Sequence, residues 1–181
     1  AVPAPTNNPK LKVITMRKFV LVAAIALTAT MTLSACNKKG GEEQSAQQVQ
    51  QAHKPTDVND SKAWNAYLGQ IVQKNMQGMS ANQPYAYMVT AATTDEQKAQ
   101  NQRQLESVQD TVARGVLPGN LLAFGGPVSA TTADLIVAAF KDAKPGSFKD
   151  VIVLFIGDQA DEQRVTDALK PTGATVRFVA M

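Results

Sequence analysis

The stretch with most of the ingredients for chemistry is Gly125-Gly126-Pro127-Val128-Ser129-Ala130-Thr131-Thr132. Its glycines, Gly125 and Gly126, allow a close backbone approach, and Ser129, Thr131 and Thr132 bring hydroxyls to a predicted helix start. Free N–H groups and hydroxyls at such a start are the chemistry of a phosphate or carboxylate site. The stretch matches neither a G-x-x-x-x-G-K-[ST] loop nor a G-x-G-x-x-G fingerprint, and no lysine follows it directly. A turn running into an ordinary N-cap is the plainer reading, and it is preferred here. Ser129 as a nucleophile is weaker still, because it lacks a G-x-S-x-G elbow and a histidine base in the domain. Three carboxylates, Asp95, Asp158 and Asp161, fall where predicted strands hand over to helices. They could act as acid/base or metal groups, but the helix dipole by itself favours acidic residues in a first turn. The chain has one histidine, His53, and one cysteine, Cys36. That rules out an internal disulfide and leaves a thiolate or imidazole metal site without partners. No metal or catalytic residue is therefore assigned.

Hydrophobic periodicity supplies the elements that must hold these residues. Trp64, Leu68, Ile71, Val72, Met76 and Met79 recur at helical spacing, as a first amphipathic helix with a core-facing stripe. Tyr85 to Thr90 reads as a strand. Thr94 with Gln97 forms a capping box that opens a helix to about Arg114, with Gly115 as its terminating residue and Leu105, Val108 and Val112 as its seam. Leu121 to Phe124 reads as a second strand. Thr131 with Asp134 forms a second capping-type pair ahead of the helix ADLIVAAFKDA. Val151 to Ile156 is an unbroken apolar run, as expected of a strand buried on both faces. After a short helix with Val165, Ala168 and Leu169 inward, Ala174 to Met181 alternates like a half-exposed edge strand. The α-β-α-β-α-β-α-β order predicts an α/β fold. Expected is a small three-layer sandwich of about four mostly parallel strands with helices on both faces. Strand order is not legible, and the carboxyl ends of the strands are the expected place for ligands.

The formal charge of +3 suggests an anionic partner until the charges are located. Lys10, Lys12, Arg17 and Lys18 precede Cys36 with no acidic residue among them. From Cys36 onward 14 Lys and Arg face 15 Asp and Glu, a net charge of −1. No basic stripe interleaved with aromatics remains, and nucleic acid is not expected as a partner.

Met16-Arg17-Lys18 is a positive n-region, and Phe19 to Leu27 is an apolar run of nine residues. A signal h-region has roughly 7–15 such residues, and a membrane span needs about 20. Leu33-Ser34-Ala35-Cys36 follows and resembles the lipobox of bacterial lipoproteins. The resemblance implies cleavage between Ala35 and Cys36, a diacylglyceryl group on the Cys36 sulfur and an acyl chain, such as palmitate, on its new amine. Anchoring that needs two lipid signals is then more than satisfied. Asn37 at the following position implies outer-membrane sorting, with the protein facing the periplasm. Residues 1–15 are expected to be an upstream extension outside the native protein. Residues 16–35 read as the signal peptide, 36–60 as the lipidated cysteine and a polar, Gln-rich linker, and 61–181 as one α/β domain. No cofactor is expected beyond the covalent lipid.

The expected role is a lipid-anchored envelope lipoprotein with a non-enzymatic α/β domain that binds an envelope protein partner. The polar helix face from Glu96 to Gln104 motivates that expectation. The alternative is a binder of a small anionic or phosphate-containing ligand, or a weak hydrolase, using the Gly125–Thr132 loop.

Overall fold

The computed structural model describes residues 53–181. Ala35, Cys36 and the segments expected to be the signal peptide and most of the linker lie outside the described residues. Four helices and four strands alternate: α1 (Ser61–Lys74), β1 (Tyr85–Met88), α2 (Asp95–Arg114), β2 (Leu121–Gly125), α3 (Ser129–Phe140), β3 (Ile152–Gly157), α4 (Gln159–Leu169) and β4 (Thr175–Ala180). A short 3-10 turn at Lys170–Thr172 joins the last two.

The four strands form one sheet in the order β1-β2-β3-β4, every pair parallel. Each strand thus pairs with its sequence neighbour. Crossovers of one hand between successive neighbours place their helices on a single face of the sheet. The two cores show this arrangement. Val108 and Val112 of α2, Leu135 and Ile136 of α3, and Val165 and Leu169 of α4 pack with Leu122, Phe124, Val153 and Phe155. On the opposite face Trp64, Leu68 and Val72 of α1 pack with Leu121, Ala123, Ile152, Leu154 and Ile156. The result is the three-layer α/β sandwich expected from the sequence, with three helices on one face and one on the other.

Strand burial follows position in the sheet. Both β2 and β3 are buried along their whole length, so their apolar runs are continuous. β4 is an edge strand with half-buried residues between exposed ends. The domain's contacts begin a few residues before α1: the Trp64 indole donates to Asp57 O at 3.0 Å, and the Asp60 carboxylate caps α1 by accepting from Ala63 N–H. No helix among the described residues is long and apolar enough to cross a membrane.

Candidate functional site

Because every strand is parallel, the loops that precede α2, α3 and α4 gather at the carboxyl end of the sheet. A strand order without reversal opens no crevice there, since neighbouring crossovers never diverge to opposite faces. The loops instead close on one another.

Gly126 comes too close to the end of β1 to carry a side chain: an added Cβ would lie 2.1 Å from Val89 O. At Gly125 an added Cβ would lie 2.7 Å from Leu68 Cδ2 on α1. The close approach that these glycines permit is therefore taken up by the protein itself. Ser129 is buried, and its hydroxyl donates to Asp161 Oδ2 at 2.5 Å while accepting from Asp158 N–H at 2.7 Å. One side chain thereby stitches the β2–α3 loop to the β3–α4 loop. Thr132 is fully buried and its hydroxyl donates back to Val128 O. Thr131 alone among the three hydroxyl residues faces open space.

The carboxylates do not meet as a group. Asp161 accepts from Ser129 and from Arg164 Nε at 2.9 Å, and Arg164 also pairs with Asp134 and donates to Ala130 O. The Ser129 hydrogen bond is the largest of the influences that hold the Asp161 carboxyl below its ordinary value, ahead of the Arg164 contacts, with burial opposing. The bond to Asp134 in turn raises the Arg164 guanidinium. This arrangement brings an internal carboxylate to the first residue of α3, where an external anion would otherwise be favoured. Asp158 is exposed and contributes its backbone N–H, while Asp95 opens α2 and pairs with Lys98 at 3.1 Å. Among the described residues no set of three or more His, Cys, Asp or Glu is arranged to hold a metal ion.

Open space lies beside this network, between α2 and α3. A groove of about 310 Å³ has Val89, Ala92, Leu105, Leu135 and Ala138 as its apolar lining. Lys98, Asn101 and Gln102 from α2 and Thr131 and Asp134 from α3 form its polar lips. Leu105 of α2, only partly buried, and the small Ala138 of α3 both line it. Its floor is a clamped loop. Asn101 Oδ1 accepts from Thr90 N–H and from the Thr90 hydroxyl, both at 2.9 Å, and Asn101 Nδ2 donates to Thr90 O. Gln97 accepts from Thr93 N–H at 2.8 Å and donates to Asn59 Oδ1, tying the approach of the chain to the same end. Between these clamps Ala92 sits at φ 56°, a left-handed conformation that a non-glycine residue seldom adopts.

Lys98, Asn101 and Gln102 belong to the polar stretch from Glu96 to Gln104 singled out from the sequence, and Thr131 to the Gly125–Thr132 loop, but the groove between them was not foreseen. Leu105 reads as ordinary seam and Asp134 as half of a capping pair, yet the N-cap of α3 is Val128, which makes no side-chain cap. The small side chain of Ala138 across from α2 gains meaning only once α2 and α3 are known to be neighbours. No protein-family model, curated protein or solved structure matches the chain.

Proposed function

We propose that this chain is a membrane-anchored envelope lipoprotein whose α/β domain is a non-catalytic module that binds an envelope protein partner along the α2–α3 groove. The anchor rests on the resemblance of Leu33-Ser34-Ala35-Cys36 to a lipobox behind a signal-like segment. The groove is the observation that carries the binding half. It couples an apolar lining to polar lips and adjoins an α2 face whose residues Glu96, Lys98, Gln100, Gln102 and Arg103 are exposed. An apolar centre with a polar rim is how protein interfaces are built. Commitment of Ser129, Asp161 and Arg164 to one another supports binding over catalysis, since a nucleophile or base must be free to reach substrate.

Two measurements test the two halves. Intact mass of membrane-extracted protein should match Cys36–Met181 plus lipid, and Cys36→Ala should remain uncleaved. A photo-crosslinking residue at Gln102 should give one discrete protein adduct in cells, and Ala138→Trp, which fills the groove, should abolish it while the fold persists. An adduct that persists in Ala138→Trp, or none at all, overturns the groove as the binding surface.

The groove's volume also favours a second reading, because about 300–1,000 Å³ is the range of small-molecule pockets. The anionic ligand would then lie between Lys98 and Thr131. A phosphate- or carboxylate-bearing compound should raise the melting temperature of wild type but not of Ala138→Trp. Gly126→Val is unsuitable for this purpose, because the new side chain would collide with Val89 O whatever binds.

A further inference from the structure

The near-neutral net charge of the chain from Cys36 onward conceals a separation of charge. All four helices run against the strands, so every helix C-terminus lies at the amino end of the sheet. Cations are favoured there by the helix dipole, and each helix follows the preference. Lys74 and Arg114 lie in the last turns of α1 and α2, Lys141 follows α3, and Lys170 follows α4. Lys144 and Lys149 in the α3–β3 loop complete a set of six exposed cations. None of the six forms an ion pair among the described residues. Three exposed acids stand against them at that end, Asp142 and Asp150 in the loops and Asp167 in the last turn of α4.

Main-chain hydrogen bonds make these loops one continuous surface. Ser80 N–H donates to Gly119 O, Gly119 N–H to Asp150 O at 2.7 Å, Gly146 N–H to Pro171 O and Phe148 N–H to Thr172 O. Two large apolar side chains project from it. Leu117 is 78% exposed and Tyr85 is 46% exposed, the two highest values among the large hydrophobic residues described. Asn120 lies beside both, donating to Leu117 O and lining a recess with Tyr85.

We infer that this amino-end surface docks on the anionic headgroups of the membrane that carries the lipid anchor. Unpaired lysines around a projecting Leu and an amphipathic Tyr are the chemistry of the membrane interface. They do not suit single-stranded nucleic acid, for which several aromatic faces would be needed among the cations. The inference rests on the anchor reading in the preceding subsection.

Geometry permits the docking. The chain approaches the domain at the opposite, acidic end, where Asn59 is held by Thr93 and Gln97. About 20 residues separate Cys36 from Asp57, and fully extended they reach ~70 Å at roughly 3.5 Å per residue. α2, with its 20 residues, spans about 30 Å of the domain's height at ~1.5 Å per residue. The tether can therefore pass the domain's flank and let its basic end rest on the membrane. Asp57, Asp60, Asp95, Glu96 and Asp158, all exposed at the other end, would be repelled by the same surface. Docked this way, the domain turns the acidic end and the mouth of the α2–α3 groove away from the lipid.

The test uses the lipidated full chain, in which lipid blocks the Cys36 thiol, with Leu117→Cys or Gln159→Cys carrying an environment-sensitive fluorophore. Vesicles are phosphatidylcholine alone or phosphatidylcholine mixed with phosphatidylglycerol. A several-fold rise in fluorescence at position 117, only with phosphatidylglycerol and lost in high salt, is expected, with no change at position 159. The triple variant Lys144→Glu/Lys149→Glu/Lys170→Glu should lose the response while its circular dichroism stays that of wild type. A position-117 signal indifferent to phosphatidylglycerol, a signal at position 159 instead, or a response retained in the triple variant overturns the inference. Failure of the anchor reads out separately, as protein that does not float with phosphatidylcholine vesicles.

Discussion

Ser129 shows how much a single hydroxyl can settle. Its donor goes to Asp161 and its acceptor is filled by Asp158 N–H, so both loops depend on it. Ser129→Ala removes the bond to Asp158 N–H and one of the Asp161 carboxylate's partners, leaving Arg164, and such a loss costs about 1–3 kcal/mol. Urea unfolding should show that loss at neutral pH. The variant should also change the response to acid. The Asp161 carboxyl is held below its ordinary value of 3.8, so its contribution is fully present above that value and disappears as pH falls through the lowered one. Wild-type stability should therefore fall below pH ~4 more steeply than that of Ser129→Ala. Equal slopes would mean that the bond to Ser129 does not set this carboxyl. Ala92 makes a prediction of opposite sign. Left-handed backbone costs an L-residue about 1–2 kcal/mol, partly offset by the extra unfolded-state freedom of glycine. Ala92→Gly should accordingly stabilise the protein by about 0.5–1 kcal/mol, seen as a higher urea midpoint. Of the candidate ligand-loop residues named from sequence, Thr131 alone lines the groove, beside Lys98, Asn101 and Gln102 of the polar α2 face. The clamp of Asn101 on Thr90, eleven residues apart, follows no local spacing rule and could not be read in advance.

At the scale of elements, periodicity carried most of the information, because burial against one partner layer imposes it. The Trp64–Leu68–Val72 stripe is the buried face of α1, and the apolar run from Val151 is β3, covered on both sides. Where local signals failed, a tertiary contact outbid them. Helix α3 starts at Ser129 rather than beyond Thr131, since the Ser129 side chain is drawn to the neighbouring loop and Val128 is left as an N-cap without a side-chain bond. Thr94 does cap α2, accepting from Gln97 N–H at 3.2 Å, but Gln97 reaches Thr93 N–H and Asn59 in place of the reciprocal bond of a capping box. Strand order left no trace in the pattern, because parallel strands read alike wherever they stand in the interior. The clamp at the end of β1 gives the element-scale prediction. Asn101→Ala removes three hydrogen bonds to Thr90, itself 4% exposed, and should cost about 2–3 kcal/mol. Hydrogen exchange should then accelerate in the β1–α2 loop and leave β3 protected. Uniform acceleration would mean that the loop is held by the sheet and not by the clamp.

For the whole molecule, a sheet that adds strands in sequence order must end in two open edges. β1 is short, with four residues, and its neighbouring loop is folded over its end. β4 is longer, six residues reading Thr-Val-Arg-Phe-Val-Ala with no proline, a composition that invites another strand. Arg177 is its one charge. The side chain is partly buried, its guanidinium donates to Asn75 O at 2.7 Å just past α1, and it lies close to Gly78. A charged residue held inward on an edge strand is a known guard against edge-to-edge pairing. The same arginine therefore secures the α1 layer and keeps the open edge unattractive, and two substitutions separate those roles. Arg177→Lys keeps the charge but cannot reproduce a planar guanidinium contact, so the melting temperature should fall without added aggregation. Arg177→Val raises strand propensity and removes the charge, so light scattering during heating should rise sooner and faster than in Arg177→Lys at matched melting temperature. If both variants aggregate alike, loss of the α1 contact is what exposes the chain. If only Arg177→Val does, the charge itself is what keeps this sheet at four strands.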